Sequence, residues 1–123
     1  MVTASRGSVL VVEDDDDIRA AVAEILEGEG YDVAIAANGR EALDELATMR
    51  APGLILLDLM MPVMNGHEFL THFRAQARYR DVPVLVLTAV STEAPKGTRG
   101  VLRKPFVVEE LLDAVQQLCA VAA

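Results

Sequence analysis

The sequence predicts an α/β fold built on a doubly wound parallel sheet with helices on both faces. Short aliphatic runs alternate along the chain with longer segments in which apolar residues recur at helical spacing, and this alternation is typical of βαβ units. With 123 residues and 52% apolar content, the chain is large enough to bury one core. We therefore expect a single domain over residues 1–123, with its core from about 8 to 120.

The first two predicted strands are each followed by an amphipathic helix. Val9 to Val12 is a continuous aliphatic run, as expected of a strand covered on both faces, and the acidic segment Glu13 to Asp17 begins the first helix. Tyr31 to Ala37 is the second strand, and Asn38-Gly39 precedes the second helix. The apolar positions of the two helices are Ile18, Ala21, Val22, Ile25 and Leu26, and then Ala42, Leu43, Leu46 and Met49.

The third strand and the third helix flank a loop rich in turn residues. Leu54 to Leu57 is a buried strand that ends at Asp58, and Pro62, Asn65 and Gly66 mark the loop before the helix. The apolar face of that helix consists of Phe69, Leu70 and Phe73.

The last part of the chain holds two further strands and a final helix. Val84 to Leu87 is the fourth strand and ends at Thr88, whereas the weaker fifth strand at Val101-Leu102 ends at Lys104. The five strands complete the predicted sheet. The final helix has its apolar positions at Val108, Leu111, Leu112, Val115 and Leu118.

Polar side chains that can carry chemistry follow four of the five strands. Glu13 and Asp14 come after the first strand, Asp58 after the third, Thr88 after the fourth and Lys104 after the fifth. Ligands of open parallel sheets bind at the carboxyl ends of the strands, near the point where the strand order reverses. We therefore expect these five side chains to converge on one edge of the sheet.

This set of side chains suits phosphoryl transfer beside a magnesium ion. Three carboxylates in one place repel one another and raise each other's pKa unless a cation lies between them, and Mg²⁺ prefers oxygen ligands. A carboxylate such as Asp58 can attack phosphorus to form an acyl phosphate. Lys104 and the Thr88 hydroxyl can then bind the phosphoryl oxygens.

Other features of the sequence exclude competing classes of protein or site. His67 and His72 do not match a pair of metal ligands, and Arg74, Arg78 and Arg80 are interpreted as a solvated face. A net charge of −8 disfavours direct contact with nucleic acid. No signal peptide or membrane-spanning run is predicted, so we expect a cytoplasmic protein.

Four segments resemble the receiver domains of two-component response regulators, and the resemblance extends from about Val9 to Cys119. The segments are VLVVEDD at 9–15, LLDLMMPVMNG at 56–66, VLTA at 86–89 and KPF at 104–106. The resemblance implies a flavodoxin-like sheet of order 2-1-3-4-5. It also implies that Asp58 is the phosphoacceptor.

By the same resemblance, Mg²⁺ is the cofactor and is bound by Glu13, Asp14, Asp58 and the backbone carbonyl of Met60. The phosphoryl donor would be a histidine kinase or a histidine phosphotransfer protein, and a downstream protein partner would receive the signal. Such a domain catalyses its own phosphorylation and slow dephosphorylation but turns over no independent substrate.

The sequence departs from the family pattern where the family carries its signal. Val101 stands where an aromatic switch residue is usual, and the segment between Thr88 and Lys104 is shorter than the family norm. Pro95 and Gly97 further disfavour a helix there, so the fourth helix is expected to be short or missing. We expect the signal to leave by the loop after the third strand, by the first helix or by onward phosphoryl transfer.

Two apolar residues beside the predicted site bear on the lifetime of the phosphoryl group. Met60 and Val90 occupy positions that, in the family, help to place the attacking water. Neither side chain can hold a water molecule by a hydrogen bond, so slow hydrolysis is expected. Glu13 also departs from the aspartate of many receivers, but it remains able to bind a metal.

Two other functions were weighed against phosphorylation signalling. A magnesium-dependent phosphatase of the haloacid dehalogenase kind needs a second aspartate two positions after its nucleophile, where this chain has Met60. A receiver-like scaffold or localisation module that works without phosphorylation stays open as the alternative, because the shortened segment and Val101 favour it.

Overall fold

The computed structural model describes residues 5–90 and 93–120. In these residues five parallel strands alternate with helices. The strands are β1 (Ser8–Val12), β2 (Asp32–Ala36), β3 (Leu54–Asp58), β4 (Val84–Thr88) and β5 (Val101–Arg103). The helices are α1 (Asp16–Gly28), α2 (Gly39–Thr48), α3 (Gly66–Arg74) and α4 (Val108–Leu118), with a 3₁₀ turn at Ala77–Tyr79.

The strand order is β2-β1-β3-β4-β5, and every neighbouring pair is parallel. The predicted fold class and strand order are thus confirmed. The chain moves from β1 to one side for β2 and then crosses to the other side for β3. The carboxyl ends of β1 and β3 therefore flank the crevice in which open α/β sheets bind ligands.

The sheet buries apolar side chains on both of its faces. Leu10, Ile55 and Leu57 belong to the core on the α2 and α3 face, whereas Val11 and Leu56 belong to the core on the α1 and α4 face. Successive residues of a strand point to opposite faces, which explains why these strands are continuously apolar rather than alternating.

The connection between β4 and β5 has no helix in its described residues, 93–100, as the sequence predicted; residues 91 and 92 lie outside the described part. Gly97 and Gly100 adopt positive φ angles of 86° and 138°, a backbone conformation that favours glycine. The Arg99 amide donates to the Val84 carbonyl at 2.8 Å, and the Val86 amide donates to the Gly100 carbonyl at 3.0 Å. These bonds align the connection with the edge of the sheet.

Arg74 corrects the prediction of a solvated arginine face. Its guanidinium is half-buried and donates to the carbonyls of Tyr79 at 3.0 Å, Val82 at 3.1 Å and Gly97 at 2.9 Å. Burial lowers the pKa of Arg74. The prediction was wrong for this residue because backbone carbonyls of two separate loops converge around it, which the composition of one segment does not reveal. Arg78 and Arg80 are exposed.

None of the helices in the described residues is long and apolar enough to cross a membrane.

Candidate functional site

The carboxyl ends of the strands bring the predicted acidic residues together. Glu13 follows β1 directly and Asp58 is the last residue of β3. One carboxylate oxygen from each of Glu13, Asp14 and Asp58 lies within 4.8 Å of the other two. Thr88 is the last residue of β4 and is buried, and Lys104 follows β5 at the same edge.

The acidic segment after β1 serves two purposes. Asp15 caps α1, because its side chain accepts the amide hydrogens of Asp17 at 2.9 Å and Ile18 at 3.0 Å. Asp16 lies in the first turn of α1, where a negative charge is favourable near the helix N-terminus. Glu13 and Asp14, which precede the helix, are the residues that reach the acidic cluster.

Lys104 is the cation of the cluster. Its ammonium contacts Glu13 Oε1 and lies 3.6 Å from Asp58 Oδ2. Glu13 is fully buried, and the Lys104 side chain is only 14% exposed. The pair is therefore shielded from water, and the attraction between two opposite charges is stronger in such a buried place than at the surface.

Asp58 is a carboxyl group whose ionisation is disfavoured by its surroundings. Burial, followed by a hydrogen bond with Glu13, raises the pKa of Asp58 from 3.8 to about 7. The amide of Met60, which donates to Asp58 Oδ1 at 3.1 Å, and the charge of Lys104 lower that pKa in part. Three carboxylates whose oxygens lie this close together fit a hard divalent cation such as Mg²⁺, which prefers oxygen ligands.

The loop after β3 approaches Asp58 closely. A side chain at Gly66 would place its Cβ 2.7 Å from the Asp58 carbonyl oxygen, so the close approach requires glycine. The Gly66 amide also donates to the Leu59 carbonyl at 3.0 Å. The sequence marked Gly66 only as a turn residue, and its role in positioning the loop needed the structure.

Apolar side chains surround the mouth of the site. Met60 is 67% exposed and Val90 is 49% exposed, and the Val90 amide donates to Thr88 Oγ1 at 3.2 Å. A groove of about 460 Å³ adjoins the site and runs along α1; the sequence did not predict it. Its lining residues are Ile18, Ala21, Val22, Ile25, Ala89, Lys104, Pro105, Phe106 and Val108.

The two histidines lie outside this site. His67 and His72 occupy exposed positions of α3, as expected for surface residues. Cys119 is partly buried, and burial raises the pKa of its thiol, which disfavours the reactive thiolate.

Comparison with known proteins places the chain among two-component signalling proteins. The family model for the response regulator receiver domain matches residues 9–116. The chain is 42% identical to the transcriptional regulatory protein PrrA of Mycobacterium tuberculosis over 95% of its own length. It is 39% identical to the response regulator MprA of Mycolicibacterium vanbaalenii over 89%. The chain spans about half the length of these relatives, 51% of PrrA and 49% of MprA.

Solved structures agree with the sequence matches. The chemotaxis response regulator CheY4 of Vibrio cholerae is similar with a TM-score of 0.84 and 38% identity, covering 94% of this chain and 99% of that one. The receiver domain of a sensor histidine kinase from Pseudomonas aeruginosa is similar with a TM-score of 0.83 and 29% identity, covering 93% and 98%. That structure has a magnesium ion coordinated in its active site cleft.

Proposed function

Since this chain belongs to the response regulator receiver family, we propose that Asp58 accepts a phosphoryl group in a reaction that depends on magnesium. The observation that supports this most directly is the cluster in which the buried Asp58 and Glu13 meet the exposed Asp14 and the partly buried Lys104. Burial, and after it the hydrogen bond with Glu13, raises the pKa of Asp58 to about 7. A bound divalent cation would favour the ionised carboxylate, which is the nucleophile.

The proposed metal ligands are Glu13, Asp14, Asp58 and the backbone carbonyl of Met60. When bound, Mg²⁺ would neutralise the carboxylates and the phosphoryl oxygens. The Met60 amide keeps Asp58 Oδ1 oriented, and Asp15 holds the other end of the cluster because its amide donates to Glu13 Oε2 at 3.2 Å.

In the proposed transfer, one Asp58 oxygen attacks phosphorus while the phosphorus–nitrogen bond of a phosphohistidine breaks. The electron pair of that bond returns to the imidazole, and Asp58 becomes an acyl phosphate. Lys104 lies close enough to Asp58, at 3.6 Å, to bind one phosphoryl oxygen. The Thr88 hydroxyl, at the end of the adjacent β4, donates to another. Phosphoryl transfer relies mainly on such positioning and charge neutralisation.

The proposed donor is a histidine kinase or a histidine phosphotransfer protein, and a downstream protein partner receives the signal. The apolar groove along α1 supports a protein donor over a small molecule alone, because it extends the site by a surface that a helix can cover. Met60 and Val90 are further exposed apolar side chains, two residues after Asp58 and two residues after Thr88.

Incubation with acetyl phosphate and Mg²⁺, followed by intact-mass measurement, tests the proposed function. Wild type should gain the mass of one phosphoryl group, and Asp58→Asn should gain none. Asp113→Asn, which changes an exposed carboxylate on α4, is the matched control and should behave as wild type. EDTA should abolish the gain.

The same measurement distinguishes phosphorylation signalling from the scaffold alternative. A receiver-like scaffold that works without phosphorylation would show no gain in wild type with Mg²⁺ present. A gain that persists in Asp58→Asn would move the modification to another residue and contradict the assignment of Asp58.

A further inference from the structure

The lysine of the site is paired more closely with Glu13 than with the phosphoacceptor. Lys104 Nζ contacts Glu13 Oε1 directly, whereas its distance to Asp58 Oδ2 is 3.6 Å. The second oxygen of Glu13 accepts the Asp15 amide hydrogen at 3.2 Å. Both oxygens of this buried carboxylate thus have partners within the protein.

Two properties of Glu13 explain why it holds the ammonium. Glu13 is fully buried, and a buried carboxylate needs a partner because water cannot solvate it. Its side chain is also one methylene longer than aspartate, which carries the carboxylate farther from the end of β1 and towards Lys104 after β5. The same carboxylate belongs to the acidic cluster with Asp14 and Asp58.

We propose that Lys104 competes with the divalent cation for Glu13, so that this ion pair sets the metal affinity of the site. The inference rests on the proposed magnesium-dependent function and concerns its regulation. An ammonium and a divalent cation beside one carboxylate repel each other strongly at low effective dielectric. Glu13 must therefore loosen its contact with Lys104 when it becomes a metal ligand.

The competition sets an order for two events at the site. The metal binds to Glu13 first, and Lys104 then becomes available to the oxygens beside Asp58. While Glu13 holds the ammonium, Lys104 Nζ stays 3.6 Å from Asp58 Oδ2 and pairs with it only loosely. Once Glu13 is engaged by the metal, Lys104 is released for the oxygens beside Asp58. A domain without metal would thus present a weaker phosphoryl site to its donor.

The dissociation constant of Mg²⁺, measured by isothermal titration calorimetry on the whole chain, tests the competition. Lys104→Met keeps the apolar stem but removes the charge, and it should tighten Mg²⁺ binding on the order of tenfold. Arg103→Met is the matched control, since Arg103 is an exposed cation one residue earlier on β5. That variant should change the constant by less than about twofold. Thermal unfolding of each variant verifies that it is folded.

Repeating the Lys104→Met substitution in a Glu13→Asp variant distinguishes the effect of the ion pair from the general effect of removing a positive charge. In Glu13→Asp the carboxylate is kept but withdrawn from Lys104, so adding Lys104→Met should change the Mg²⁺ constant by no more than about twofold. An equal effect of Lys104→Met in both backgrounds, or equal effects of Lys104→Met and Arg103→Met, would overturn the competition. Unchanged or weaker binding in Lys104→Met would overturn it as well.

The result is independent of the test of the proposed function. If Mg²⁺ binds and responds to Lys104→Met but acetyl phosphate adds no mass at Asp58, the proposed function fails and the competition stands. If wild type gains the phosphoryl group and its Mg²⁺ constant does not respond to Lys104→Met, only the competition fails. If no folded variant binds Mg²⁺, both are overturned.

Discussion

At the scale of single residues, the ionisation of Asp58 lowers the stability of the folded chain. Its pKa is higher in the folded chain, about 7, than its ordinary value of 3.8. Asp58 therefore contributes most to stability below about pH 3.8, where it is protonated in both states, and that contribution is lost as the pH rises towards 7. Ionisation near neutral pH leaves a buried charge beside Glu13.

We predict that Asp58→Asn stabilises the metal-free chain at pH 7 by about 1–3 kcal/mol, because asparagine keeps a hydrogen-bond acceptor for the Met60 amide without the charge. Urea unfolding at several pH values measures the difference, which should shrink towards pH 4. Asp113→Asn should change stability by less than about 0.5 kcal/mol. A gap independent of pH between 4 and 7 would contradict the raised pKa.

Two further single residues, Met60 and Val90, bear on the lifetime of a phosphoryl group on Asp58. Both side chains are apolar and exposed at the mouth of the site, so neither can orient a water molecule towards the acyl phosphate. We predict that phosphorylated wild type loses its phosphoryl group over minutes or longer at neutral pH, and that Met60→Asn accelerates the loss severalfold. Intact-mass measurement after removal of acetyl phosphate follows the decay. Hydrolysis of wild type within seconds would refute the prediction.

At the scale of elements, Arg74 links the connection between β4 and β5 to α3. It joins the end of α3 to carbonyls at Tyr79 and Val82, and to Gly97 in the β4–β5 connection. Four hydrogen bonds from this guanidinium, the fourth a longer one of 3.4 Å to the Arg80 carbonyl, hold together two loops that are separated in sequence. The connection is thus tied to α3 although its described residues form no helix.

We predict that Arg74→Met destabilises the fold by about 1–2 kcal/mol and speeds hydrogen exchange at the amides of Val86 and Arg99, which pair the connection with β4. Arg78→Met is the matched control. Both arginines lie over an aromatic ring, Arg74 over Phe73 at 5.1 Å and Arg78 over Tyr79 at 4.7 Å. Within the described residues, however, Arg78 donates a single hydrogen bond, at 3.4 Å to the Met49 carbonyl. Equal exchange in the two variants would show that Arg74 does not anchor the connection.

At the scale of the whole molecule, we predict that the signal leaves Asp58 by a route other than the usual family route. Val101 is half-buried on the edge strand β5 and pairs with Val86. The described part of the β4–β5 connection offers no helix against which an aromatic ring could switch. The loop after β3 is bonded directly to Asp58 through the Met60 amide. The same loop contacts α2, because the Gly39 amide donates to the Met64 carbonyl at 2.9 Å.

We predict that Val101→Tyr does not restore the usual switch. Amide chemical shifts recorded before and after addition of beryllium fluoride, a mimic of the phosphoryl group, should change in the loop after β3 and in α1. The pattern should be the same in wild type and in the variant. A large gain of shift changes at residues 93–103 in Val101→Tyr would show that the usual output route needs only the aromatic ring.

The order of elements and the members of the site could be predicted from the sequence because both depend on local patterns. Continuous aliphatic runs mark strands buried on two faces, and a parallel sheet brings their carboxyl ends to one edge. Asp58 and Thr88 were therefore placed together without coordinates. The absence of a helix from residues 93–100 was also predictable, since a short segment with Pro95 and Gly97 disfavours helical structure.

Only the tertiary structure decided which partner each of these side chains takes. Three features join segments that are distant in the chain: the contact of Lys104 with Glu13, the carbonyls around Arg74 and the groove along α1. Local pattern does not determine the distance between such atoms, and Coulomb and hydrogen-bond energies depend on that distance. The sequence by itself thus determined the fold and the acidic site centred on Asp58. The packing of the strands decided how strongly that site resists ionisation and which carboxylate holds its lysine.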